Sequence, residues 1–201
     1  PRSTLFPYTT LFRSRKGDKI AVCGRNSSHW GVTFLATLTY GAVIVPILHE
    51  FKADNVHNIV NHSEAKLLFV GDVVWENLNE SAMPLLEGIL MMNDFTLLVS
   101  RSERLTHARE HLNEMFGKKF PKNFRKEHIE YHKDQPEELA VINYTSGTTS
   151  YSKGVMLPYR SLWSNTAFAF EVLPLKAGDK IVSMLRSEER RVGKECRSRW
   201  S

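Results

Sequence analysis

The chain has 201 residues, 42% of them hydrophobic, and carries a formal net charge of +5. This length predicts one domain or part of a larger one, and no apolar run reaches the length of a membrane span. An excess of basic over acidic side chains would favour nucleic acid or an anionic membrane surface as a partner. That argument fails here, because the excess of basic residues lies entirely in the two ends of the chain.

The two ends look like one DNA sequence translated on both strands. Compared in opposite directions, residues 1–14 and 186–199 can be encoded by complementary codons, position by position. The match stops at Arg15 and Leu185, because no leucine codon is complementary to an arginine codon. Both ends resemble the translation of a sequencing-library adapter, so we expect them not to be native. A natural inverted repeat is the alternative.

Without these ends, residues 15–185 hold nineteen basic and nineteen acidic side chains and are formally neutral. Neutrality gives no reason to expect nucleic acid as a partner. Of the two cysteines, only Cys23 lies in this part, and we predict a small core residue rather than a nucleophile. Because one cysteine cannot form an internal disulfide, we expect a reducing, cytoplasmic environment.

Short apolar runs alternate with helical patterns over the first hundred residues. We predict strands over residues 19–23, 43–46, 66–70 and 95–99. We predict helices between the capping residues 26–28 and Gly41, over 52–63 and over 73–80. The expected inner faces carry Trp30, Phe34, Leu35 and Leu38 in the first helix, and Val56, Ile59 and Val60 in the second. This alternation indicates an α/β fold with a mostly parallel sheet and helices on both faces.

Residues 101–138 differ in character, because charges and histidines are dense and prolines interrupt the segment. We predict a polar insertion with a surface helix over residues 106–116. His107 and His111 have the i, i+4 spacing of a metal site on a helix. No cysteine or paired carboxylates accompany them, so a solvated helix face is favoured and no metal ligands are assigned.

The apolar run 139–142 is predicted as a buried strand, and a loop rich in Ser and Thr follows it. Small residues let successive backbone N–H groups form a concave anion nest, and hydroxyls add further donors. Lys153 adds a mobile positive charge. A plain polar turn is the alternative, but this order of residues favours phosphate. Beyond it we predict a strand over 155–157, a helix from Pro158 and a strand over 180–185; one face of that helix carries Leu162, Thr166, Ala169 and Phe170.

The loop resembles the signature of the adenylate-forming superfamily, which includes acyl-CoA synthetases, luciferases and the adenylation domains of peptide synthetases. The superfamily pattern is Tyr-Thr-Ser-Gly-Thr-Thr-Gly-x-Pro-Lys-Gly-Val. The matches here are Tyr144, Thr145, Ser146, Gly147, Thr148, Thr149, Lys153, Gly154 and Val155. The sequence departs at Ser150 and Ser152, and Tyr159 stands where many members have His. Residues 17–22, 40–47 and 63–66 also resemble superfamily segments in order and spacing.

The resemblance covers essentially all of residues 15–185 and is strongest to bacterial long-chain fatty acid–CoA ligases. It implies part of the N-terminal domain of an adenylate-forming enzyme. ATP and a carboxylic acid, here a fatty acid, would give an acyl-adenylate and then a coenzyme A thioester, with Mg²⁺ sharing the phosphate charge. It implies a catalytic role for Lys153, and phosphate binding by Thr145, Ser146, Gly147, Thr148, Thr149, Lys153 and Gly154.

In the superfamily, the adenine and acyl pockets, the acidic magnesium ligand and the C-terminal lid lie downstream of this segment. We therefore expect a fragment that is inactive by itself. Two alternatives remain open at the level of the sequence. One is a non-catalytic phosphate- or nucleotide-binding module, and the other is a structural fragment without activity.

Overall fold

The computed structural model describes residues 16–120, 124–125, 131–145, 153–174, 176 and 178–179. Its centre is one mixed sheet of seven strands, in the spatial order β5-β4-β3-β1-β2-β6-β7. The strands are β1 (Lys19–Cys23), β2 (Val43–Ile47), β3 (Leu67–Val70), β4 (Gly88–Met91), β5 (Leu97–Ser100), β6 (Leu139–Thr145) and β7 (Lys153–Pro158). Neighbouring strands from β4 to β6 run parallel, and the edge strands β5 and β7 are antiparallel. The predicted mostly parallel sheet is confirmed.

Helices cover both faces of the sheet, as the sequence predicts. They are α1 (Ser28–Tyr40), α2 (Ala53–Ser63), α3 (Asp72–Trp75), α4 (Glu103–Glu110), α5 (Leu112–Lys119) and α6 (Tyr159–Val172). One apolar cluster joins the sheet to α1, α4, α5 and the start of α6, and a second joins the other face to α2. Because it is covered on both faces, β1 is fully buried from Ile20 to Cys23. The buried thiol of Cys23 confirms its prediction as a core residue.

Capping residues set the ends of α1. The Ser27 hydroxyl accepts a hydrogen bond from the Trp30 amide at 3.1 Å, and Gly41 closes the helix with φ of +86°. Inside α1, Thr33 and Thr37 are buried, because each hydroxyl donates to a backbone carbonyl one turn earlier at 2.8 Å. Leu35, predicted on the inner face, is instead 61% exposed.

The prediction for α2 is confirmed, since Val56, Ile59 and Val60 are all buried. The segment predicted as a helix over residues 73–80 forms only α3 and a 3₁₀ turn at Glu80–Ala82. Asparagine side chains compete there for the backbone groups that a longer helix would use. The side-chain amide nitrogen of Asn77, Nδ2, donates to the Val73 carbonyl at 2.9 Å. The Asn79 side chain caps the 3₁₀ turn, because its Oδ1 accepts a hydrogen bond from the backbone amide of Ser81.

Two further predictions need correction. Strand β4 was not predicted, and the strand predicted over residues 95–99 is β5, which begins at Leu97 because Phe95 adopts φ of +60°. The helix predicted over residues 106–116 is two helices, α4 and α5, separated at His111. There the imidazole Nδ1 lies 3.1 Å from the His107 carbonyl oxygen, which the His111 amide also uses.

The chain divides into two compact units, and the boundary follows Ser164 within α6. In the second unit, Leu173 continues the helical hydrogen bonding to Ala169, and Phe170 is 84% exposed rather than on an inner face. Pro158, predicted to begin α6, is the last residue of β7. No helix in the described ranges is both long and apolar enough to cross a bilayer. The strand predicted over 180–185 and the two ends of the chain lie outside the described residues.

Candidate active site

The signature loop joins two antiparallel strands at the carboxyl edge of the parallel sheet. Thr145 ends β6 and lies directly opposite Lys153, the first residue of β7. Both residues are exposed. In open α/β sheets, ligands bind at the edge where the parallel strands end. The hairpin therefore holds both ends of the loop, residues 146–152, at the edge where a ligand is expected.

The structure locates three of the predicted site residues, Thr145, Lys153 and Gly154, next to one another. Four others lie outside the described residues: Ser146, Gly147, Thr148 and Thr149. The exposed hydroxyl of Thr145 and the ammonium group of Lys153 belong to directly opposed residues. Their arrangement at one point of the sheet edge provides a donor and a positive charge for an anionic ligand.

Gly154 has a packing reason that the sequence did not reveal. It pairs across the hairpin with Tyr144, and a Cβ built on Gly154 would lie 3.1 Å from the tyrosine Cζ. The same Cβ would lie 3.1 Å from Cγ2 of Ile142. The tyrosine ring thus covers a glycine on the edge strand, which is an arrangement that stabilises glycine in sheets. A side chain at position 154 would push β7 away from β6.

Tyr144 is held in the core by a contact with helix α2. Its side chain is buried, with 3% of the residue exposed, and burial raises the pKa of its hydroxyl. The hydroxyl oxygen lies 2.6 Å from Nδ1 of His62, and the two rings meet at 89°. Sequence analysis missed His62, because it is 82 residues from Tyr144 and no local pattern marks it.

A cleft of about 620 Å³ lies at the same edge of the sheet, where β1, β2, β3 and β4 end. This volume falls in the usual range for small-molecule sites. Its lining includes the cationic side chains of Arg25 and Lys52, the imidazole of His49 and the carboxylate of Asp72. Gly24 and Gly71 also line the cleft, and a Cβ built on Gly24 would collide with the Met92 side chain.

A separate polar cluster lies at the opposite end of the parallel strands, where β1 and β6 begin. Glu138 accepts from Nε2 of His132 at 3.0 Å and from the Lys16 ammonium at 3.1 Å. Burial alone would raise the pKa of Glu138, but these hydrogen bonds outweigh it and lower the pKa. Burial, with the nearby charges of Glu138 and Asp134, raises the pKa of Tyr159 to about 12. Tyr159 donates to the Leu38 carbonyl at 2.8 Å, so this residue links α6 to α1.

The two histidines with metal-site spacing do lie close together. The rings of His107 and His111 are 4.3 Å apart, measured between their centroids. Within the part of the chain that the structure describes, no three histidine, cysteine or carboxylate side chains gather as metal ligands.

The chain is similar to known proteins of one family. The AMP-binding enzyme family matches residues 12–186. Long-chain-fatty-acid–CoA ligase 5 of Rattus norvegicus is 29% identical over 169 residues, which cover 78% of this chain and 23% of that protein. A long-chain-fatty-acid–[acyl-carrier-protein] ligase of Arabidopsis thaliana, AEE15, is 27% identical over 185 residues, which cover 85% and 24%.

A solved long-chain-fatty-acid-CoA ligase from Archaeoglobus fulgidus superposes with a TM-score of 0.61 at 26% identity, covering 83% of this chain and 30% of that one. The chain thus spans about a quarter of the length of the curated relatives it matches. These relatives are named as fatty-acid ligases, and the superposition with the solved structure shows a shared α/β fold. On the strength of the family match, which spans most of its length, this chain belongs to the AMP-binding enzyme family.

Proposed function

We propose that this chain is part of the N-terminal domain of an acyl-CoA ligase that activates a fatty acid with ATP. The observation that carries the proposal is the β6–β7 hairpin, which places Thr145 opposite Lys153 at the carboxyl edge of the sheet. The signature loop connects these two residues. The relatives named as long-chain-fatty-acid ligases support a fatty acid as the carboxylic acid.

The first step would be attack of a substrate carboxylate oxygen on the α-phosphorus of ATP. An oxygen–phosphorus bond forms, the bond to the bridging oxygen of the β-phosphate breaks, and pyrophosphate leaves. Negative charge gathers on the phosphate oxygens in the transition state, so fixed donors there stabilise the transition state more than the ground state. We assign this role to Lys153, to the Thr145 hydroxyl, and to the predicted donors of the loop: Ser146, Gly147, Thr148 and Thr149.

Lys153 suits this role because its backbone is fixed by the hairpin while its side chain is exposed. No nucleophile from the protein is required, because the substrate carboxylate attacks. Mg²⁺, when bound, would neutralise part of the phosphate charge. Since the described residues gather no set of three potential ligands, we assign no residue of this chain to the metal.

The second step would pass the acyl group from the adenylate to a thiol. The sulfur attacks the acyl carbonyl carbon, a carbon–sulfur bond forms, the bond from that carbon to the phosphate oxygen breaks, AMP leaves, and the thiol proton passes to solvent. The cleft at the carboxyl ends of β1 to β4 has a suitable volume, and the Arg25 and Lys52 side chains that line it favour an anionic ligand such as coenzyme A. An acyl-carrier protein is the alternative acceptor, because one relative is named as an acyl-carrier-protein ligase. We propose coenzyme A as the acceptor, because a cleft of this size is better suited to binding a small molecule than to binding another protein.

ATP–pyrophosphate exchange, driven by a panel of fatty acids of different lengths, tests the first step. We expect exchange in the longer protein that contains this chain, and none in the 201-residue chain alone. Positioning can lower a barrier by about 7–11 kcal/mol, and half of a site cannot position ATP against a carboxylate. Binding of ATP without exchange in the longer protein would favour the binding module instead. Exchange by the chain alone would contradict its proposed inactivity.

The acceptor is tested by charge reversal at the cleft. In the longer protein, Arg25→Glu combined with Lys52→Glu should raise KM for coenzyme A and leave pyrophosphate exchange unchanged. Equal loss of both reactions would place the cleft in the first step instead. A cytoplasmic location also stays part of the proposal, supported by the buried thiol of Cys23.

A further inference from the structure

We propose that His62 is a positioning residue for Lys153 at the start of β7, and that it acts through Tyr144 rather than by touching a substrate. The inference rests on the proposed function, because it concerns the lysine to which that function assigns phosphate chemistry. It begins from one contact between distant parts of the chain. His62 lies in the last turn of α2, and its Nδ1 is 2.6 Å from the hydroxyl oxygen of Tyr144 on β6.

The side chain of Tyr144 is confined on several sides. Its ring lies against the backbone of Gly154 on β7. Its hydroxyl oxygen contacts Nδ1 of His62, and the planes of the two rings are almost perpendicular. It is buried in the apolar cluster that joins the sheet to α2. A buried hydroxyl without a partner is costly, so the hydrogen bond to His62 fixes where the end of the tyrosine can lie.

Restriction of Tyr144 also restricts the backbone of the two residues next to the loop, Thr145 and Lys153. Thr145 follows Tyr144 in the chain, and Lys153 precedes Gly154, the cross-strand partner of Tyr144. Strand β7 lies at the edge of the sheet and pairs only with β6 in the described residues. Its residue Met156 is 69% exposed, so packing on the outer side contributes little. The contact between Tyr144 and Gly154 therefore helps to fix the backbone that carries Lys153.

The catalytic consequence follows from the proposed reaction. A lysine that stabilises a transition state must be held in place before the reaction, because reorganisation during the reaction adds to the barrier. Loss of the hydrogen bond should loosen the hairpin and lower kcat, while ATP can still reach the site. The net contribution of a neutral hydrogen bond corresponds to roughly a two- to tenfold change in rate.

The test uses the longer protein that contains this chain, with the variants His62→Phe, Tyr144→Phe and both together. His62→Phe keeps a ring but removes Nδ1, and Tyr144→Phe removes only one oxygen. We expect each single variant to lower kcat for pyrophosphate exchange about two- to tenfold, with KM for ATP little changed. The double variant should lose no more than either single one, because all three remove the same hydrogen bond.

Two further variants make the result specific. His62→Gln keeps a side chain that can bond to the tyrosine hydroxyl, and it should recover at least half of the lost rate. His111→Phe is the matched control, since Nδ1 of His111 likewise has a polar contact, but with the His107 carbonyl oxygen at the junction of α4 and α5. It should leave kcat unchanged. Unchanged kcat in His62→Phe, or additive losses in the double variant, would overturn the inference.

Amide hydrogen exchange separates failure of this inference from failure of the proposed function. Absence of pyrophosphate exchange in the unaltered longer protein would refute the function by itself. In either case, His62→Phe and Tyr144→Phe should speed exchange of the Lys153 and Gly154 amides several-fold, with the amides of β1 unchanged. Equal protection of the hairpin amides in the variants and the unaltered protein would refute the positioning role. If His62→Phe does not fold, Tyr144→Phe decides the matter.

Discussion

The ring of Tyr144 lies over the backbone of Gly154, so that a Cβ at position 154 would come within 3.1 Å of the tyrosine Cζ. The glycine after Lys153 is therefore explained by packing as well as by any ligand. Contact of this kind makes the hairpin sensitive to side-chain volume at one position, next to the proposed catalytic lysine.

We expect Gly154→Val to destabilise the chain by about 1–3 kcal/mol, because the side chain must displace Tyr144 or β7. Urea unfolding followed by circular dichroism measures the change. Gly117→Ala is a suitable contrast, since no atom lies within 4 Å of a Cβ built there and Gly117 is inside α5. That substitution should stabilise by about 0.5–1 kcal/mol. A neutral Gly154→Val would show that the hairpin relaxes around the added volume.

Substitutions at two glycines with nearly equal φ angles can distinguish the cost of backbone strain from the cost of a side-chain collision. Gly17 and Gly41 have φ of +85° and +86°, but only at Gly41 would a Cβ collide, 2.7 Å from Cγ of His132. Gly17→Ala should cost about 1–2 kcal/mol for the left-handed backbone alone. Gly41→Ala should cost about 1–3 kcal/mol more, because the His132 ring must also move. Equal losses in thermal or urea unfolding would mean that His132 moves freely.

In the longer protein that contains this chain, Lys153→Ala should slow adenylate formation by roughly ten- to a hundredfold. The reason is the loss of one charge-assisted hydrogen bond to phosphate, worth about 1.5–3 kcal/mol in the transition state. Pyrophosphate exchange is the measurement. Lys118→Ala is the control, because Lys118 is an exposed lysine that pairs with Glu114 within α5 and is assigned no role at the site. An unaffected Lys153→Ala enzyme would remove the role assigned to this lysine.

Tyr159 should make the fold sensitive to alkali. Its pKa is raised to about 12, whereas an unfolded tyrosine titrates near 10. The stability that it contributes is therefore fully present below about pH 10 and is lost as the pH rises through 12. Urea unfolding between pH 9 and 11.5 should show a steeper loss in the unaltered chain than in Tyr159→Phe. Parallel curves for the two proteins would indicate that the hydroxyl ionises as freely in the folded state as in the unfolded one.

Removal of both suspected adapter ends should leave the fold intact. A chain of residues 15–185 should unfold at the same urea concentration as the 201-residue chain, within experimental error, since we expect the ends not to be native. Resequencing of the source DNA across both junctions is the independent check. A large loss of stability in the shorter chain would contradict this expectation. Adapter-free sequencing reads that still encode both ends would contradict it as well.

The strands and helices that alternate regularly were predictable because their patterns are local. Strand β4 was missed because its residues, Gly88 to Met91, include only one β-branched side chain and begin with glycine. The inner face of α1 was partly misassigned for another physical reason. Thr33 and Thr37 satisfy their hydroxyls within the helix and are buried, while Leu35 is exposed.

For the candidate site, the sequence predicted a loop between two strands, and Thr145, Lys153 and Gly154 lie together at that position. The contact that supports the hairpin was not predictable. The hydrogen bond between His62 and Tyr144 joins residues 82 positions apart and depends on how α2 packs on the sheet. Local patterns contain no information about such a contact, because it arises only after β2, α2 and β6 have packed.

The pairing of β6 with β2 has a consequence for folding kinetics. Ile44 lies beside Val141, so this pair joins residues 97 positions apart, whereas β1, β2 and β3 follow one another closely in sequence. Closing so long a loop costs entropy before any contact repays it, and distant pairings form slowly. Strands β1 to β3 should therefore assemble first, and the hairpin that carries Lys153 should join afterwards. The proposed phosphate site would therefore be completed only after the centre of the sheet has formed.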